Sequence, residues 1–179
     1  MLSVDDTVLV IVDIQEKLWQ AMHEKEALLT NALKMIQAAK IFGLPMLWTE
    51  QNPKGLGPTL PEIKALLTDF EPISKLSFSC LGEPVFEEEL ERIDRGQVLI
   101  AGIESHVCVY QTVVELLELG YEVEVLVDAV SSRTPENKAI GLGQCDANGA
   151  YLTSVETAIF ELLRVAEGEK FKQIMKIVK

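Results

Sequence analysis

Short β-branched runs alternate with longer amphipathic stripes along most of this chain, and few architectures accept that pattern. Val8-Leu-Val-Ile-Val-Asp13 reads as a buried strand that ends in a carboxylate. Over residues 24–42, Leu28, Leu29, Ala32, Leu33, Ile36 and Ala39 make one helical stripe, closed by Gly43 and Pro45. A second strand is expected over 44–49. A long loop follows over 50–59, marked by Pro53, Gly55, Gly57 and Pro58. The pattern then predicts a short helix over 60–67, a weak third strand over 70–75, a loop over 76–84 and a helix over 83–92. A fourth strand is expected over 97–102 and a helix over 108–119, stopped by Gly120. A fifth strand over 122–128, a helix over 137–148 and a sixth strand over 151–153 come next. Ser154 caps a helix to about residue 165, and an amphipathic helix after Gly168 carries Phe171, Ile174, Met175 and Val178.

Strands alternating with helices predict an α/β fold of three layers, Rossmann-like, with a parallel sheet covered by helices on both faces. The common strand order for such a sheet is 3-2-1-4-5-6. At 179 residues, one domain spanning 1–179 is expected.

The formal charge of −12, with no basic cluster along any helix, argues against nucleic acid and anionic membranes as partners. No apolar run approaches the ~20 residues needed to cross a bilayer, and Met1-Leu-Ser-Val-Asp-Asp6 lacks a leader pattern, so a cytoplasmic location is expected. Three cysteines without a C-x-x-C pair do not suggest a disulfide framework, and two histidines offer no zinc cluster. G-x-x-x-x-G-K-[ST], G-x-G-x-x-G and G-x-S-x-G are all missing, so no metal and no cofactor are expected.

Cys108 is the chemically most suggestive residue. The run Val98-Leu-Ile-Ala-Gly102 ends in Ile103-Glu-Ser-His-Val107, and Cys108 opens the next helical stretch. Unpaired N–H groups and the positive dipole end at a helix start favour a thiolate. A lone cysteine is as commonly a small buried hydrophobe, and position alone divides the two evenly. Topology adds the deciding argument. Ligands of such sheets sit beyond the carboxyl ends of the strands where the order reverses, between strands one and four, and this brings Asp13 and Cys108 to one crevice. Asp13 is then either a cap or a general base for the thiol. Lys75, past the third strand, is either a surface lysine or the cation that a thiolate beside a carboxylate requires.

Val10-Ile-Val-Asp13-Ile-Gln15, Lys75-Leu-Ser-Phe78-Ser and Gly102-Ile-Glu-Ser-His-Val-Cys108-Val together resemble the isochorismatase-like cysteine hydrolases over nearly the whole chain. Thr49-Glu-Gln51-Asn-Pro-Lys-Gly-Leu-Gly57 and Asp128-Ala-Val-Ser-Ser-Arg133 resemble the subgroup called isochorismatase domain-containing proteins. The resemblance implies a triad of Asp13, Lys75 and Cys108, with Cys108 as nucleophile, Asp13 as general base and acid, and Lys75 holding the thiolate. It also implies a cis peptide between Ile103 and Glu104, turning backbone N–H groups, that of Cys108 included, toward an oxyanion. Substrate would be a small amide-like molecule cleaved through a thioester, with vinyl ether hydrolysis or a low-turnover scaffold as alternatives. Nicotinamidases of this family bind a metal through an aspartate and histidines around the loop after strand two. Here that loop offers Gln51 and Pro53 and no histidine. Gln15, Leu18, Gln51 and Phe78 are pocket candidates, each equally readable as packing. A homo-oligomer is implied, to which the C-terminal stripe could contribute.

His106 lies two residues before the thiol, a spacing that does not share a helix face, and reads as structural or as a subunit contact. Cys80 and Cys145 read as packing residues. Glu104 either faces substrate or pairs with a cation such as Arg133, and the sequence leaves that choice open.

Overall fold

A computed structural model of the chain describes residues 1–68 and 71–179. Six parallel strands form its centre: β1 (Thr7–Val12), β2 (Met46–Gln51), β3 (Ile73–Lys75), β4 (Gln97–Ile103), β5 (Glu122–Ser131) and β6 (Tyr151–Thr153). Their spatial order is β3-β2-β1-β4-β5-β6, so the order reverses between β1 and β4 as expected. Around the sheet run α1 (Glu16–Trp19), α2 (Lys25–Phe42), α3 (Pro53–Leu56), α4 (Pro61–Lys64), α5 (Pro84–Ile93), α6 (Tyr110–Glu118), α7 (Pro135–Ala147), α8 (Val155–Leu163) and α9 (Gly168–Val178).

The period of two along the strands divides the core into two layers. Leu9, Ile11, Met46, Trp48, Leu99 and Ala101 face Ala32, Met35 and Ile36 of α2, Ile159 of α8 and Ile174 of α9. Val8, Val10, Leu47, Val98, Ile100 and Val125 face Phe86 and Leu90 of α5, Val113 and Leu116 of α6, and Cys145 of α7. Every residue of β1 and β4 is buried, which is why both read as continuous apolar runs rather than alternating ones.

Several boundaries differ from the sequence expectation. β2 starts at Met46, because Pro45 lends only its carbonyl, to Leu9 N–H, before pairing begins. The loop over 50–59 contains α3, opened by Pro53 at the first helical position, where its missing N–H costs nothing. The expected third strand narrows to Ile73–Lys75, and Phe70, its expected start, lies outside the described residues. The four-residue α1 was not signalled by any stripe. Among the described residues, no helix is long and apolar enough to cross a membrane.

Candidate active site

Three strand ends deliver the chemistry-bearing side chains. Asp13 directly follows β1 and takes φ +50°, a left-handed conformation that turns the chain sharply off the strand. β4 approaches the same point closely. A Cβ on Gly102 would lie 2.2 Å from the Val12 carbonyl oxygen, so only glycine lets the two strands meet beside Asp13. Lys75 ends the edge strand β3, in register with Gln51 of β2. Cys108 lies in a π-helical turn, Ser105–Val109, that follows β4 after the cis Ile103–Glu104 peptide and runs into α6.

These elements bring Asp13 and Lys75 together: Lys75 Nζ donates to Asp13 Oδ2 at 2.6 Å, and neither side chain is exposed. Lys75 Nζ also donates to Gln51 Oε1 at 2.9 Å and to the carbonyls of Phe78 at 2.9 Å and Ser77 at 3.2 Å. An ammonium has three protons, so all of them are taken up by oxygen acceptors. The other oxygen of Asp13, Oδ1, accepts a 2.7 Å bond from the Thr49 hydroxyl. The Cys108 thiol feels the same carboxylate, whose charge and hydrogen-bonding capacity both favour its protonated form.

Burial pushes the Cys108 thiol up to about 12, with the charge of Asp13 adding to the rise and Lys75 opposing it. The helix-start argument for a thiolate thus meets a buried thiol in a π turn. Cys108 is only 6% exposed and sits in a π turn rather than at an α-helix start, so lost hydration outweighs the backbone dipoles. Lys75 lowers the thiol, the direction expected of a cation beside it. With its protons committed elsewhere, it acts on the sulfur through charge, not through a hydrogen bond.

The pocket candidates fare differently. Gln15 is fully buried, and its amide is spent on backbone: Nε2 donates to the carbonyls of Gln51 and Gly57, and Oε1 accepts from Gln51 N–H. Gln51 carries its Oε1 to Lys75 and its Nε2 to the Leu76 carbonyl. Gln51 therefore braces Lys75 directly, and Gln15 holds the Gln51 backbone in place. Leu18 packs with Met22, Leu28 and Ile103. Phe78 is 55% exposed, on the loop whose carbonyls hold Lys75.

Cys145 is buried among apolar neighbours as expected, whereas Cys80 is more than packing. Its sulfur lies 3.8 Å from the Thr49 hydroxyl, and burial followed by the charge of Asp13 pushes its thiol up to about 11. Sequence position gave no hint of this, since Cys80 and Thr49 lie on different loops and strands. Glu104 is settled by the tertiary structure: its Oε2 accepts from Arg133 Nε at 3.0 Å and from Arg133 N–H at 3.2 Å. Next to Arg133, the fully buried Ser132 hydroxyl meets Ser105 Oγ at 2.5 Å and His106 Nδ1 at 2.9 Å. His106 thus ties the Ser105–Val109 turn to the residue after β5. Among the described residues, no group of three or more His, Cys, Asp or Glu side chains is arranged to hold a metal ion.

A family profile described as Isochorismatase domain matches residues 7–157. Isochorismatase domain-containing protein 2 of Xenopus laevis is 40% identical over 173 residues, covering 96% of this chain and 83% of its own. A Caenorhabditis elegans structure described as MAR1 ribonuclease superposes with a TM-score of 0.93 at 37% identity, covering 99% of this chain and 91% of that one. YcaC from Pseudomonas aeruginosa, solved with hexane-2,5-diol and covalent acrylamide, gives a TM-score of 0.93 at 25% identity, covering 98% and 90%.

Proposed function

The chain belongs to the isochorismatase family, and from that premise we propose that it is a metal-independent thiol hydrolase of a small amide-like substrate. The observation that carries this reading is the unexposed Lys75–Asp13 pair beside the Cys108 thiol, whose protonated form the carboxylate favours. Removing two charges from water costs several kcal/mol per ion even after relaxation, and a well-packed apolar pair would serve stability as well or better. Such a pair beside a thiol at the topological switch point makes chemical sense as a proton carrier.

In the resting site the thiol is neutral, with Asp13 as its proposed proton acceptor. As Cys108 sulfur attacks the substrate carbonyl carbon, the thiol proton passes to Asp13, and the Cys108 N–H is the donor assigned to the developing oxyanion. Collapse of the tetrahedral adduct breaks the C–N bond, and the departing amine takes the proton from Asp13. Water then attacks the thioester, giving a proton to Asp13. The acid product leaves, and the proton returns to the sulfur. Lys75 keeps Asp13 available as an anion between these transfers.

A panel of small primary amides, followed by ammonia release, tests the reading. Turnover that Cys108→Ala and Asp13→Asn abolish, and that a chelator leaves intact, is the expected result. Turnover by Cys108→Ala removes the proposal.

A second reading comes from the ribonuclease description of the C. elegans relative at 37% identity. The net charge of −12 opposes approach of a polyphosphate backbone, and the one lysine at the site is buried in its ion pair. A small, non-nucleic substrate is therefore preferred.

A further inference from the structure

Asp13 must hold one orientation while it accepts and returns a proton, and a single donor does not ensure that. The last torsion of an aspartate side chain is broad and soft. Lys75 engages Oδ2 alone, leaving the carboxylate free to pivot about that contact. The Thr49 hydroxyl engages Oδ1 at 2.7 Å, and donors on both oxygens fix the plane.

The hydroxyl itself is oriented. Thr49 Oγ1 and Cys80 Sγ are 3.8 Å apart, and Thr49 has already given its only proton to Asp13. Cys80 must then be the donor, S–H to Oγ1. Its thiol is held protonated, since burial and the nearby carboxylate both push it up. Cys80 is in turn anchored by its backbone N–H to Thr112 Oγ1 at 2.9 Å, on the helix that continues from the nucleophile turn. Thr49, Cys80 and Thr112 are all buried, so water does not compete for these bonds.

We propose that Thr49, aimed by the Cys80 S–H, is a positioning residue that holds the Asp13 carboxylate in line for proton exchange with Cys108. This rests on the thiol hydrolase reading given above and extends it to two residues outside the triad.

Thr49→Val keeps the shape and removes the hydroxyl, whereas Thr49→Ser keeps the hydroxyl and removes a methyl. A packing role and a positioning role therefore rank the two variants in opposite orders. The probe is p-nitrophenyl acetate, whose acyl group would pass through Cys108, with p-nitrophenolate release followed at neutral pH. A hydrogen bond to a charged group is worth enough that kcat of Thr49→Val should fall about tenfold to a hundredfold, with KM changed less than about threefold. Thr49→Ser should stay within about threefold of the unsubstituted protein in kcat. Cys80→Ala should lose several-fold in kcat, and it tests the same relay should Thr49→Val not fold. Overturning results are a Thr49→Val or Cys80→Ala protein with full kcat, or Thr49→Ser as slow as Thr49→Val. Cys108→Ala separates this inference from the reading beneath it. If that variant still turns over the ester, both fall. If it is inactive while Thr49→Val keeps full kcat, only the positioning role falls.

Discussion

The Nζ of Lys75 sits 2.6 Å from Oδ2 of Asp13, at a sequence separation of 62 and with no solvent on either side chain. Lys75→Met should therefore leave a carboxylate buried without its cation. Breaking one half of such a pair costs about 3–5 kcal/mol, read as a lower urea midpoint. Adding Asp13→Asn to the same chain should recover part of that loss. A Lys75→Met protein as stable as the unsubstituted one would mean the pair is not held as described.

Asp13→Asn should separate nucleophile ionisation from turnover. The charge and hydrogen bond of Asp13 both raise the Cys108 thiol, while Lys75 lowers it. Asparagine removes the first two and leaves the ammonium unopposed, so the thiol should ionise below its value of about 12. Iodoacetamide labelling of Cys108 should then extend to lower pH while hydrolysis is lost. Labelling measured against pH, peptide by peptide, checks this, and an unmoved profile would break the Asp13–Cys108 link.

Gly141 of α7 lies against the Ser105–Val109 turn that carries Cys108. A Cβ there would fall 2.5 Å from the Ser105 carbonyl carbon and 2.6 Å from His106 N, both backbone atoms that cannot rotate aside. Gly141→Ala should shift the turn, lowering kcat by about tenfold or more, with an overpacking cost of about 1–3 kcal/mol in a thermal melt. Full activity would show that the turn tolerates displacement.

Gln15→Leu distinguishes bracing from substrate contact. It strips partners from Gln51 N–H and from the carbonyls of Gln51 and Gly57. Stability should drop by about 1–3 kcal/mol with KM little changed. A raised KM without lost stability would return Gln15 to the substrate pocket.

A synthetic RNA oligomer incubated with the protein should be cleaved no faster than with Cys108→Ala, judged by gel. Faster cleavage that depends on Cys108 would favour the ribonuclease reading.

The strand run Val8–Val12 and the stretch ending at Gly102 carry their burial in local composition, so the parallel sheet and its reversal point were legible in order along the chain. The positions of Asp13 and Cys108 followed, since each is fixed by the end of its own strand. Position left Lys75 open between a surface lysine and a site cation, because an edge strand of three residues leaves almost no periodic signal, and its motif supplied the choice.

What the chain determined alone was thus the layer order and which reactive side chains end up at the carboxyl ends of the strands. Tertiary structure decided the partners of each polar atom. Gln15 and Gln51 became braces, Glu104 took Arg133, Cys80 came to lie behind Thr49, and the Cys108 thiol stayed protonated. The reason is physical. Strand and helix formation respond to neighbours a few residues away, whereas hydrogen-bond partners and the cost of charging a buried thiol depend on groups that only folding brings together.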